Sequence, residues 1–244
     1  MIVGIFGDSF ASSWTWRGCP TPDQLPWYEL LGPQHSVTVH SEPGSGLWWA
    51  WNEYCKHQHL YEQVVFLAST PQRMAIRPQE NRWWRHVGPG WLNQALQGTD
   101  RLTESERKTL TSLEDWFLHV DPEYVQSTHD LMLKDLRQSR PSTELCILPC
   151  FEESRRPPHE CSLFDISTQE IDYYKIKEKH KNPWYYDIRP GHLSRENNEI
   201  LAEKIRDWLE HSRAVQLSLK DFCSAPSAPE SDYFDYTRTG GVAL

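Results

Sequence analysis

Nowhere in the 244 residues is there a run approaching the roughly 20 consecutive apolar residues that a membrane-spanning helix requires. The opening Met1-Ile2-Val3-Gly4 lacks the basic flank, long apolar stretch and cleavage site of a secretory signal, so the expectation is a cytoplasmic protein without a membrane span. Positive charge is scarce. Lys and Arg number 25 against 34 Asp and Glu, a net charge of −9, and this balance argues against nucleic-acid partners, whose phosphates demand clustered cations. Cysteine is present (Cys19, Cys55, Cys146, Cys150, Cys161 and Cys223), but no pair has the close spacing of a zinc site. Cys146-x-x-x-Cys150 falls in a predicted buried strand, while His57 and His59 near Cys55 read as surface histidines, so reduced thiols and no metal are expected. The stretch "GIFGDS" has neither the lysine of a phosphate-binding loop nor the third glycine of a dinucleotide fingerprint. No cofactor is expected.

What the chain does have is material for a core: hydrophobic residues make up 38%, with 12 Trp, 10 Tyr and 8 Phe. Continuous apolar runs at 2–6, 63–68 and 144–150, with a further strand at 36–40, have the character of central parallel strands buried on both faces. Helical spacing lies between them, over 47–60, over 105–119 behind a Thr103/Glu106 capping box, and over 123–137 behind Asp121-Pro122. In 123–137 the stripe Tyr124, Val125, Thr128, Leu131, Met132 and Leu136 is expected to face a sheet. A last helix is predicted over 195–211, with Ser194 as N-cap and Ile200, Leu201, Ile205, Trp208 and Leu209 on one side. Strands alternating with helices predict an α/β fold with a mostly parallel sheet. Residues 1–222 are expected to form one domain, and 223–244, rich in Ser, Ala, Pro and Gly, a flexible tail.

In such sheets sites form at the carboxyl ends of the strands, which is where Gly7-Asp8-Ser9 falls. A serine hydroxyl attacks only when a base takes its proton and donors hold the oxyanion. His192, in the Pro-Gly loop before the last helix, is the candidate base, and Asp187 the carboxylate that orients it. Trp48 offers a stacking surface, and Arg73, Arg77, Arg82 and Arg85 offer cations at the same end; of these, Asp8, Trp48 and Arg73 are the candidate substrate-binding residues.

Gly7-Asp8-Ser9 after an N-terminal strand, together with Asp187 and His192 before a C-terminal helix, resembles the GDSL or SGNH hydrolase family. The resemblance spans most of 1–212, with matching blocks at either end and near residue 44. It implies a three-layer α/β/α sandwich of flavodoxin-like architecture and hydrolysis of carboxylic esters of carbohydrates or lipids. It also implies Ser9 as nucleophile, its own amide and that of Gly44 as oxyanion donors, and His192 with Asp187 completing a triad. Gly44 is preferred to Gly46 as the nearer to the strand end. Two blocks depart from the family pattern. The third, "ASTPQR", has no asparagine, which leaves the Thr70 hydroxyl as candidate donor beside Ser69 or Arg73, and Asp187 stands five residues before His192 where the family commonly has three. The alternative expectation is therefore an SGNH-like scaffold with degenerate chemistry that serves in binding or structure.

Overall fold

The structure is a computed structural model and describes residues 1–11, 25–75, 86–88, 92, 96, 103–170, 185–187, 190–224 and 233–235. The chain begins with strand β1 (Ile2–Gly7), which runs directly into a 3-10 turn at Ser9–Ala11. Then come β2 (Ser36–Ser41), helix α1 (Leu47–His57), β3 (Gln63–Ala68), and the short β4 (Met74–Ala75) and β5 (His86–Val87). Helices α2 (Glu104–His119) and α3 (Pro122–Ser139) precede β6 (Leu145–Pro149). Last are α4 (Leu163–Gln169), β7 (Tyr185–Asp187), α5 (Arg195–His211) and β8 (Tyr233–Asp235).

Four strands form one parallel sheet in the order β2-β1-β3-β6. The apolar runs of β1, β3 and β6 are continuous because both faces are covered, as parallel connections through helices require, while edge strand β2 is only partly buried. Val3, Ile5, Val65, Leu67, Cys146 and Leu148 join a cluster with Leu163 and Ile166 of α4 and Leu201, Ile205, Trp208 and Leu209 of α5. The alternate residues Phe6, Val64, Phe66, Ala68 and Leu145 pack with Leu47, Ala50 and Tyr54 of α1 and Leu133 and Leu136 of α3. The fold is thus α/β, with its major strands and helices where apolar pattern and caps predict them. Asp121 accepts the Glu123 N–H at 2.8 Å to start α3, and Ser194 accepts the Asn197 N–H at 3.2 Å to start α5. The Glu106 side chain of the expected capping box lies outside the described residues.

The inward face of α3 agrees with the expected stripe at Met132 and Leu136 and departs from it at Tyr124 and Leu131. Tyr124 and Leu131 are 65% and 66% exposed, whereas His129, Leu133 and Leu136 point inward. The reason is a polar residue on the buried side: the His129 imidazole lies 3.0 Å from the Ser69 carbonyl, so burial leaves that nitrogen hydrogen-bonded. The i, i+4, i+7 series from position 129 then sets the face.

Short α4 was not expected from helical periodicity, since seven residues give too few turns; its signature is the capping box in which Ser162 and Asp165 bond each other's amides at 3.2 and 2.8 Å. Antiparallel β7 and β8 pair Tyr185 with Asp235 and Asp187 with Tyr233, which places part of the C-terminal segment in a sheet. Cys55, Cys146, Cys150, Cys161 and Cys223 are free thiols, and Cys19 lies outside the described residues. Burial pushes the Cys146 thiol up to about 12, as befits a packing residue of β6. Among the described residues no helix is long and apolar enough to cross a membrane.

The two faces of α3 give a direct test. Leu133→Ala should cost about 2–5 kcal/mol in urea unfolding, as buried Leu truncations do, while Leu131→Ala should stay within about 0.5 kcal/mol. Equal costs would mean that the helix is turned the other way.

Candidate active site at the carboxyl edge of the sheet

Strand β1 ends where three further loops meet. Asp8, directly after the strand, is wholly buried, and its carboxylate accepts from the Phe10 N–H at 3.1 Å, Ser69 Oγ at 3.0 Å, Arg73 Nη1 at 3.1 Å and Cys150 Sγ at 3.4 Å. These donors come from the turn after β1, the loop after β3 and the end of β6. Asp8 is therefore consumed by the frame, contrary to the expectation that it contacts substrate. Arg73 keeps 26% of its side chain exposed, pairs with Asp8, and lies 4.7 Å over the Phe151 ring. Burial first, and then the Asp8 carboxylate, push the Cys150 thiol well above its ordinary value, so it stays a neutral S–H donor.

Ser9 opens the 3-10 turn, which the Ala11 N–H closes onto the Asp8 carbonyl at 3.0 Å. It is 8% exposed, and among the described residues no hydrogen bond joins its Oγ to His192. The Gly191–His192 turn nevertheless packs against the same segment. A Cβ on Gly191 would stand 3.0 Å from the Phe10 carbonyl, and the His192 ring meets the Phe10 ring edge-on with centroids 5.1 Å apart. Both residues adopt φ of 59°, a left-handed conformation that costs a histidine more than a glycine and persists only where surroundings hold it. The holding contacts are visible: Trp27 donates its indole N–H to the Phe10 carbonyl at 3.0 Å and its amide to Asn198 Oδ1 at 2.9 Å, while Asn198 donates back to the Leu193 carbonyl at 3.0 Å. Buried Glu170 receives the Ser194 amide and hydroxyl at the start of α5, at 2.9 and 2.7 Å. Two ends of the chain are thus brought together. Asp187 closes β7, and its side chain lies outside the described residues.

Of the other candidates, Gly44 has φ of 75° and open space where a side chain would project. The close backbone approach expected there occurs at Gly46, whose Cβ would fall 2.1 Å from the Arg73 carbonyl. Thr70 Oγ1 accepts the Gln72 N–H at 3.3 Å, leaving its proton to donate elsewhere. Trp48, on the first turn of α1, is 52% exposed. Arg77, Arg82 and Arg85 lie outside the described residues.

Ser69, His129, Ser154 and Cys150 were not foreseen as a group. The Ser69 carbonyl accepts from Ser154 Oγ at 2.6 Å and from the His129 imidazole, joining α3 and the loop after β6 to the Asp8 frame. The available clue was a histidine at position 129 on a face that otherwise had to be apolar. Burial holds the His129 pKa below its ordinary value, so the imidazole stays neutral in the fold.

No family model matches the chain, and no curated protein and no solved structure matches it either.

Two outcomes are expected. Arg73→Ala leaves the Asp8 carboxylate without its cation and should destabilise by about 3 kcal/mol in denaturant unfolding, with Arg73→Lys less severe. For His129 the unfolded chain binds a proton near pH 6.5 while the native chain still refuses it, so stability is full above that pH and falls below it, by at most about 1.4 kcal/mol per pH unit. Unfolding midpoints from pH 8 to pH 5 should show a decline that is shallower in His129→Gln; an unchanged slope would remove His129 as its source.

Proposed function

We propose that this protein is a serine-dependent hydrolase of carboxylic esters, built as an α/β/α sandwich of the SGNH type, with Ser9 as nucleophile and His192 as base. The observation that carries the reading is the packing of the left-handed Gly191–His192 turn against Phe10, the residue after Ser9. The parallel order β2-β1-β3-β6, with the nucleophile past the first strand and helices against either face, agrees with it.

In this mechanism a rotation of the Ser9 and His192 side chains brings hydroxyl and imidazole within hydrogen-bond reach. His192 takes the Ser9 proton as Oγ attacks the ester carbonyl, and Asp187 steadies the imidazolium. The amides of Ser9 and Gly44, with the Thr70 hydroxyl, hold the oxyanion. The alkoxide leaves with the proton from His192, and water, deprotonated by the same base, releases the acyl group. Exposed Trp48, at the start of α1, offers apolar surface to an acyl chain or sugar ring. Arg73 is committed to Asp8 and Phe151, so its role is to position the loops around the nucleophile.

One feature favours the alternative of a degenerate scaffold: Ser9 and His192 are not hydrogen-bonded in this conformation. Labelling separates the two readings. A fluorophosphonate should modify the wild type and not Ser9→Ala, and His192→Ala should lower turnover of aryl acetate or butyrate esters about a hundredfold or more. Equal labelling of wild type and Ser9→Ala would reject the hydrolase and leave the scaffold.

A further inference from the structure

A second polar cluster lies between β2 and α1, and it owes nothing to the hydrolase reading. His40 projects from β2, while Glu53 and His57 stand four apart on α1 and so share one helical face. One nitrogen of each imidazole and one Glu53 carboxylate oxygen lie within 4.8 Å of one another, and all three residues are half-buried. His57 Nε2 is 3.6 Å from Glu53 Oε2.

We propose that His40, Glu53 and His57 form a three-ligand site for a divalent transition metal of the zinc type, with water in the fourth position. Two imidazoles and a carboxylate are a ligand set that zinc accepts. Around a tetrahedral ion the donor atoms stand about 3.4 Å apart, so the cluster must contract by little more than an ångström, which side-chain torsions supply. His40 already has an outer partner: its Nε2 lies 2.5 Å from Tyr61 Oη, an arrangement that fixes ring orientation and leaves Nδ1 to bind. Phe6 stacks on the inner side of His40, with centroids 4.7 Å apart and planes at 6°, and holds that ring in place.

His57 is the ligand that moves. Its ring lies parallel to His40, at 9° and 4.8 Å, and parallel imidazoles cannot both aim in-plane lone pairs at one ion. With 37% of its side chain exposed, His57 is free to swing out of the stack, after which coordination replaces stacking as the tie between β2 and α1. Lys56 Nζ, 2.7 Å from Glu53 Oε1, engages one carboxylate oxygen and leaves Oε2 turned toward His57. Cys55 does not belong to the set: its surroundings include the Asp135 carboxylate of α3, the group that also binds Trp51 Nε1.

Equilibrium dialysis of the untagged full chain against Zn²⁺, with Co²⁺ absorption as spectroscopic readout, tests the site. We expect one ion per chain and a rise in melting temperature with added zinc. His57→Ala and Glu53→Gln should each weaken binding at least about tenfold and remove that rise, while Cys55→Ser and His59→Ala change neither. His57 is the more exposed of the two and Glu53→Gln keeps the size and shape of the side chain, so the fold should survive. Full affinity in His57→Ala, loss of binding in Cys55→Ser, or no zinc binding by the wild type would each overturn the assignment.

Discussion

Burying a carboxylate without compensation costs several kcal/mol or more, and Asp8 is wholly buried at the one point where the loops after β1, β3 and β6 converge. Its donors are therefore obligatory, and each fixes a different piece of chain. The Phe10 amide tightens the turn that presents Ser9, Ser69 and Arg73 anchor the loop after β3, and Cys150 anchors the end of β6. A neutral thiol and a hydroxyl supply directional bonds, and the guanidinium supplies the charge. The loops bordering Ser9 are in this way tied to one another before any ligand arrives.

The C-terminal contribution is fastened separately. Trp27 bridges the Phe10 carbonyl and Asn198, and Asn198 returns to the Leu193 carbonyl, so the turn that carries His192 is referenced to the residue following Ser9. Glu170 then receives the Ser194 amide and hydroxyl and the Asn197 side chain, covering the start of α5 with negative charge where the helix dipole favours it. Removing Asn198 and removing Asp8 would consequently loosen different halves of the same edge.

The legible part of this molecule was the part governed by local or periodic rules. Runs such as Val64-Val65-Phe66-Leu67 admit few readings other than a doubly covered strand, and Ser194 and Asp121 cap the helices they were expected to cap. The inward face of α3 was partly misjudged because an apolar count penalises histidine, and it cannot know that a carbonyl 60 residues away, at Ser69, stands ready to satisfy one. The meeting of Gly7-Asp8-Ser9 with the His192 loop was visible only as a pairing of residue types at strand and helix ends. The Trp27–Asn198 bridge that enforces it spans 171 residues and leaves no local trace. Gly44 was preferred to Gly46 on paper only for its nearness to the strand end. What separates them is the Arg73 carbonyl, which crowds the second and not the first.

The hydroxyls at this edge carry one more step. Ser41 Oγ donates to the Ala11 carbonyl, Ser45 Oγ to the Gly7 carbonyl, Ser69 Oγ to Asp8 and Ser154 Oγ to the Ser69 carbonyl, while Thr70 Oγ1 accepts from the Gln72 amide. The four serine protons are spent on holding loops, and Thr70 keeps its own. Among the described hydroxyls of these loops, Ser9 alone forms no hydrogen bond, although it sits at the centre of the network and its neighbour Asp8 draws four. Ser9 keeps 8% of its surface exposed and its hydroxyl is not among the sealed polar atoms, so solvent can meet it and the lack of a protein partner costs no stability. The rigidity of the Asp8 frame and the freedom of the Ser9 hydroxyl fit the proposed hydrolase together, since fixed surroundings lower the cost of aiming a group that must react.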